Sequence, residues 1–66
     1  MKMLKVGDKV KIIKGPYKSD NVTPGNTGVV VSISSDINGV TLYDVLPDIK
    51  PDTDWPFYGY ELEVLQ

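Results

Sequence analysis

Short runs in which apolar and polar residues alternate follow one another along the chain, separated by glycine and proline. In residues 5–14, Lys9 and Lys11 alternate with Val10 and Ile12. A period of two is typical of a strand with one buried face, whereas an amphipathic helix has a period near 3.6. The pattern predicts a first strand over residues 5–14 with Val10 and Ile12 on its inner face.

Three further runs rich in β-branched and aromatic residues predict strands over residues 28–34, 40–46 and 58–65. Strict alternation directs Val29, Val31, Ile33, Tyr60, Leu62 and Val64 inward, and Val30, Ser32, Ser34, Glu61 and Glu63 outward.

Two details of this pattern are irregular. Leu42 and Tyr43 have opposite parity in the third run, which predicts a bulge in that strand. The segment 55–57 opens either a short fourth strand or a helical turn, because Pro56 cannot lie in a central strand.

Turn residues separate the predicted strands. Residues 15–27 form a long first loop in which Pro24-Gly25 suits the centre of a type II turn. Asn38-Gly39 predicts a tight hairpin between the second and third strands. Residues 47–54 form an acidic loop.

Four to five short strands, a long first loop and no helical period predict a small all-β barrel, because closing the sheet hides its edges. At 66 residues the chain forms one domain, residues 1–66, with a thin core. We therefore expect an SH3-like barrel of four to five short antiparallel strands. An OB-fold normally needs a longer chain and a helix.

Residues 7–18, GDKVKIIKGPYK, resemble the opening of a KOW-type SH3-like module. Residues 25–33, GNTGVVVSI, are similar to its second half, and residues 19–24 resemble an insertion in the loop between them. The resemblance covers residues 6–33. It implies an SH3-like fold and contacts to RNA or to partner proteins through the loops around the motif. The chain departs from KOW modules in its lack of arginine and its acidic balance, and it lacks the aromatic pairs of polyproline-binding SH3 domains.

The amino-acid composition excludes several kinds of catalytic and metal-binding site. The chain contains no Cys, His or Arg, which excludes Ser-His-Asp and Cys-His nucleophile systems and histidine-ligated zinc. Asp48, Asp52 and Asp54 lack the spacing of a calcium loop, so we interpret them as a solvated acidic loop. We expect no enzymatic activity, no cofactor and no metal site.

The chain offers no membrane span and no secretion signal. Its longest apolar stretches are three residues, and charged residues occupy the first positions where a signal peptide is apolar. We expect a cytoplasmic protein. The lysine-rich, arginine-free composition suits an AT-rich bacterial, phage or mobile-element genome.

Charge is divided unequally along the chain: residues 1–18 carry a net charge of +5, and residues 19–66 carry −7. The basic half predicts either phosphate contacts to RNA or DNA or cross-strand pairing of Lys9 and Lys11 with Glu61 and Glu63. The candidate nucleic-acid or rim residues are Lys9, Lys11, Lys14 and Lys18.

Aromatic residues are the candidate binding side chains, because they dominate the binding energy of many protein interfaces. The candidates for a shallow protein-binding groove are Tyr17, Trp55, Phe57 and Tyr58. Trp55 and Phe57 are also large enough to close one end of a thin core.

We therefore expect a noncatalytic protein-binding or accessory module with a protein partner. The alternatives are a KOW-like RNA- or DNA-binding module and a permanently docked structural subunit.

Overall fold

The computed structural model describes residues 4–15 and 20–65. Its strands are β1 (Lys9–Ile12), β2 (Thr27–Ser35), β3 (Thr41–Pro47), β4 (Trp55–Tyr58) and β5 (Leu62–Leu65). A 3₁₀ turn, Gly59–Glu61, joins β4 to β5. The predicted all-β class is confirmed, and within the described ranges no helix has the length and apolarity needed to cross a membrane.

All five strands pair antiparallel in one sheet with the order β4-β3-β2-β1-β5. The last strand, β5, therefore pairs with the first, β1, and in this pair Lys11 lies opposite Glu63. Strands β4 and β5 form the two edges, and no strand pairing joins them in the described part of the chain. The sheet is therefore open, and only its antiparallel all-β character matches the predicted barrel.

Strand β1 is shorter than predicted. Residues 5–8 form a turn in which the Asp8 N–H donates to the Lys5 carbonyl over 3.0 Å. The Asp8 carboxylate also accepts the Lys5 backbone N–H at 3.0 Å. These local hydrogen bonds turn the chain before β1, which begins at Lys9, although the Gly7 N–H and the Asp8 carbonyl already bond to Val30 of β2.

The part of β2 before residue 31 directs the opposite side chains inward from those predicted: Val30 is 1% exposed, whereas Val29 and Val31 are half-buried. Ile33 lies opposite Tyr43 of the core, on the predicted face, but is 45% exposed. The pairing with β3 shifts between Val30 and Ser32, so Val31 is the extra residue of a β-bulge. The bulge predicted for the third strand thus lies in β2, and β3 alternates regularly.

The start of the last strand also differs from the prediction. Tyr60 is 64% exposed and Glu61 is 4% exposed, which reverses both predictions. These residues belong to the 3₁₀ turn, in which about three residues complete a turn and strand alternation does not apply. From Leu62 onward the strand follows the predicted pattern, with Leu62 buried and Glu63 exposed.

The first predicted turn forms as expected, and the second forms as a hairpin in which Gly39, but not Asn38, has positive φ. The Asn26 N–H donates to the Thr23 carbonyl at 3.0 Å, and Gly25 has a φ of 104°. Positive φ at this position is what a type II turn requires of its second central residue. In the hairpin between β2 and β3, the Asp36 N–H donates to the Val40 carbonyl at 2.9 Å.

One hydrophobic core lies on the inner face of the sheet. Phe57 fills its centre at 1% exposure, and Val22, from the long first loop, is fully buried against it. Trp55 and Val64 pack at the margin. The remaining buried apolar residues are Leu4, Val10, Ile12, Val30, Tyr43, Val45 and Leu62.

Gly28 marks the closest approach between β2 and β3. A Cβ atom at this position would lie 2.5 Å from the Leu46 carbonyl oxygen and 2.7 Å from Val45 Cγ1. Because the first of these atoms belongs to the backbone, the two strands would have to separate to admit a methyl group.

We predict that Gly28→Ala lowers the free energy of unfolding by about 1–3 kcal/mol, the usual cost of overpacking. Urea unfolding followed by tryptophan fluorescence measures this loss. Gly59→Ala is the matched control, because a Cβ there meets its nearest atom, Tyr43 Cε2, at 3.4 Å. Equal losses in the two variants would contradict the proposed strand clash.

Candidate functional site

Two stacked tyrosine rings lie on the surface where β4 passes into the 3₁₀ turn. The centroids of Tyr58 and Tyr60 are 5.6 Å apart and their planes differ by 7°. Tyr58 is half-buried, whereas Tyr60 is 64% exposed. We call this pair, with Lys14 and Asp36 at its two ends, the aromatic ladder.

Asp36 holds one end of the aromatic ladder. Its Oδ1 accepts the backbone N–H groups of Asn38 at 2.8 Å and Val40 at 2.9 Å, which closes the hairpin turn. Its Oδ2 accepts the Tyr58 hydroxyl at 2.8 Å. One carboxylate therefore connects the β2–β3 hairpin to the first ring of the ladder.

These hydrogen bonds shift the ionisation of both partners. The Val40 N–H, followed by the Tyr58 hydroxyl, lowers the pKa of Asp36 because both stabilise its charged form. The same carboxylate raises the pKa of Tyr58, because it accepts a hydrogen bond from the protonated hydroxyl and repels a phenolate.

Lys14 lies at the other end of the aromatic ladder. Its ammonium nitrogen is 5.4 Å from the centroid of the Tyr60 ring, within the range of a cation–π contact. At an exposed site such a contact contributes about 0.5–1 kcal/mol. The segment that carries Lys14 is fixed beside the 3₁₀ turn, because the Ile13 N–H donates to the Glu61 carbonyl at 2.9 Å.

Glu61 is the buried residue beneath the aromatic ladder. Its Oε1 accepts the Tyr58 N–H at 2.9 Å, which caps the 3₁₀ turn. Its Oε2 lies 2.8 Å from the position that a Cβ of Gly15 would occupy, so only glycine fits there without a shift. The carboxylate thus fixes the backbone between the two tyrosines and packs against the chain that follows β1.

The residues predicted to bind a protein partner occupy different places. Tyr58 belongs to the aromatic ladder. Trp55 lies opposite Val45 and is half-buried at the core margin, and Phe57 is a core residue with almost no exposed surface. Tyr17 lies outside the described residues.

Of the candidate lysines, Lys9 is neutralised by an acidic neighbour. The Lys9 ammonium lies 2.9 Å from Asp48 Oδ2, and this hydrogen bond, with a second from Thr27, lowers the pKa of Asp48. Lys11 lies opposite Glu63, as predicted, but Lys9 faces Leu65 rather than an acidic residue of β5. Lys14 lies on the aromatic ladder, and Lys18 lies outside the described residues.

Sequence reasoning missed three residues of this site: Tyr60, Asp36 and Glu61. Gly59 in the middle of an apparent strand was the available signal that alternation ends there. The spacing of Tyr58 and Glu61, three residues apart, is also that of a capped turn. Asp36 was recognised only as part of a turn, because its contact with Tyr58 spans 22 positions.

Within residues 4–15 and 20–65, no group of three or more acidic residues is arranged to hold a metal ion. Asp48 of the acidic loop is instead engaged by Lys9 and Thr27.

Comparison of the chain with protein-family models, curated proteins and solved structures gives no match. The geometry of the aromatic ladder and the charges around it are therefore the basis for the function proposed below.

We predict that Asp36→Asn removes a stabilisation that depends on pH at both ends of the scale. With the pKa of Asp36 lowered, its contribution is present above the ordinary value of 3.8 and is lost as the pH falls through the folded-state value. With the pKa of Tyr58 raised, its contribution is present below 10.0 and is lost as the pH rises through the folded-state value.

Urea midpoints across the pH range test this prediction, together with an NMR titration of the Tyr58 ring. In Asp36→Asn the pKa of Tyr58 should fall towards its ordinary value. Asp54→Asn, in the exposed acidic loop, is the control. An unchanged Tyr58 titration in Asp36→Asn would show that the hydrogen bond between Tyr58 and Asp36 contributes no measurable free energy.

Proposed function

We propose that the protein is a noncatalytic binding module that recognises a segment of a partner protein on the aromatic ladder. The observation that carries this proposal is the stacked pair of Tyr58 and Tyr60, with Tyr60 64% exposed. Tyrosine is enriched at the energetic centres of protein interfaces, because its ring is large and its hydroxyl can remain hydrated.

The ladder is held in place before any partner arrives. Asp36 fixes the Tyr58 hydroxyl, and Glu61 fixes the Tyr58 backbone. Side chains that are already ordered lose less conformational entropy on binding, so more of the contact energy appears as affinity. A preformed pair of rings is therefore better suited to recognition than two freely rotating tyrosines.

Apolar side chains extend the surface beside Tyr58. Leu42 lies directly opposite Tyr58 in the pairing of β3 with β4 and is half-buried. Val40 is two residues earlier, on the same face by strand alternation, and is 50% exposed. A partner segment lying along the ladder would cover a continuous strip of aromatic and aliphatic surface with Lys14 at its rim.

An SH3-like architecture is part of this proposal. The return of β5 to lie beside β1 supports it, because the first and last strands of an SH3-like barrel pair in this way. The resemblance of residues 6–33 to a KOW-type module supports the same architecture.

Charge favours a protein over a nucleic acid as the partner. Of the lysines in the described ranges, Lys5, Lys9 and Lys50 form ion pairs with aspartates, and Lys11 faces Glu63 across the sheet. The whole chain has a net charge of −2. Nucleic-acid affinity depends on many uncompensated cations, and within residues 4–15 and 20–65 only Lys11 and Lys14 form no ion pair.

We predict that Tyr60→Ala abolishes capture of the partner by the tagged protein from a low-GC bacterial lysate treated with nuclease. Truncating a central interface tyrosine costs about 2 kcal/mol or more, which weakens affinity about 30-fold. Ile37→Ala is the control, because Ile37 is 99% exposed on the hairpin tip and lies outside the ladder.

Mass spectrometry of the captured proteins gives the readout. A set retained by wild type and Ile37→Ala but lost with Tyr60→Ala supports the proposal, provided that Tyr60→Ala keeps the wild-type urea midpoint. Capture that is indifferent to Tyr60→Ala would refute it.

A KOW-like RNA- or DNA-binding module is the second candidate, and the position of Lys14 beside the exposed Tyr60 ring favours it. An aromatic ring next to a cation can stack a nucleobase and hold its phosphate. We expect no salt-dependent binding of a fluorescent single-stranded oligonucleotide in an anisotropy titration. An affinity that falls steeply with salt and is lost in both Tyr60→Ala and Lys14→Ala would instead favour the nucleic-acid-binding module over the protein-binding module.

A further inference from the structure

The two edges of the open sheet differ in the hydrogen-bonding groups that they present. At β4, the Asp36 N–H to Val40 carbonyl bond fixes the alternation along β3, so Tyr43 and Val45 direct their backbone groups to β4. Their partners Phe57 and Trp55 are bonded to β3, and Pro56 and Tyr58 face outward.

Neither outward residue of β4 offers an N–H to a further strand. Pro56 has none, and the Tyr58 N–H donates to Glu61 Oε1 at 2.9 Å. The β4 edge is therefore closed to strand addition by its own sequence, which is a common protection against edge-to-edge association.

The β5 edge, unlike the β4 edge, has backbone groups that a further strand could bond. The Ile13 N–H donates to the Glu61 carbonyl, and alternation then directs the backbone groups of Glu63 and Leu65 to β1. The backbone groups of Leu62 and Val64 consequently face outward. The Leu62 N–H donates to the Gly59 carbonyl, which leaves the Leu62 carbonyl and both Val64 groups available. No other strand of the described ranges pairs with this edge.

The side chains of β5 define what an added strand must carry. On its inner edge β5 already pairs with β1, which places Lys11 opposite Glu63 and Val10 opposite Val64. Glu63 is exposed, and it is absent from the ion pairs formed among the described residues. A strand added at the outer edge would meet the same alternation of one carboxylate between two apolar residues.

We propose that the outer edge of β5, Leu62–Leu65, is a strand-addition site for an extended segment of a partner protein. The segment carries Lys or Arg opposite Glu63 and β-branched residues opposite Leu62 and Val64. In an antiparallel addition the three available backbone groups of β5 each gain a hydrogen bond. Glu63 then occupies a non-hydrogen-bonded pair, where opposing side chains are closest and a basic residue gains most. This site is separate from the aromatic ladder and does not depend on it.

A synthetic peptide tests the site directly. We choose an end-capped copy of residues 8–14, DKVKIIK, because β1 is the strand with which β5 pairs in the fold. Titrated into isotopically labelled protein, it should shift the amide resonances of residues 61–65 saturably and slow the hydrogen exchange of the Val64 N–H. The charge-reversed peptide DEVEIIE is the matched control and should bind more weakly.

Two variants complete the test. Glu63→Lys should weaken the affinity for DKVKIIK by up to about fivefold and strengthen the affinity for DEVEIIE, as expected for an exposed cross-strand charge pair. Val64→Pro should abolish binding of both peptides, because it removes the outward donor, and proline is tolerated at a position whose N–H faces solvent. If Val64→Pro fails to fold, the test is whether Glu63→Lys changes the preferred peptide from DKVKIIK to DEVEIIE.

Equal binding of the two peptides to wild type, or no saturable shift in residues 61–65, would overturn the proposal. Shifts confined to Tyr58 and Tyr60 would also overturn it, while leaving the function proposed for the aromatic ladder intact.

Discussion

The buried carboxylate of Glu61 is the constraint on which the site depends. Its side chain accepts the Tyr58 N–H, its carbonyl accepts the Ile13 N–H, and its Oε2 packs against Gly15. A carboxylate at 4% exposure is costly to bury, and the hydrogen bond from the Tyr58 N–H offsets part of that cost. Because the same residue ends the 3₁₀ turn, it determines where Tyr60 leaves the sheet and where β5 begins.

Much of the architecture follows from local patterns that can be found in the sequence. Val10 and Ile12 are buried as the alternation predicts, Pro24-Gly25 forms the expected turn, and Asn38-Gly39 lies in the expected hairpin. These features depend on residues that are close in the chain, and local backbone preferences are sufficient to predict them.

The failures of prediction have a common physical cause. A one-residue irregularity exchanges the two faces of a strand, and the residue at which it occurs is decided by packing against a distant strand. The bulge at Val31 reverses the expected roles of Val29 and Val30, and the 3₁₀ turn does the same for Tyr60 and Glu61. The aromatic ladder could not be predicted for this reason, because it consists of the residues that the irregular turn exposes and of an aspartate 22 positions away.

The pairing of the first strand with the last has a mechanical consequence. Lys9 and Leu65 lie opposite each other at one end of the β1–β5 pair. A force that pulled these two residues apart would act across the strands and load one hydrogen-bonded pair at a time. Such a geometry opens like a zipper, whereas strands pulled along their length resist with all their hydrogen bonds together. Pulled apart at these two residues, β5 would separate from β1 at a lower force than if the same pair were sheared along its length.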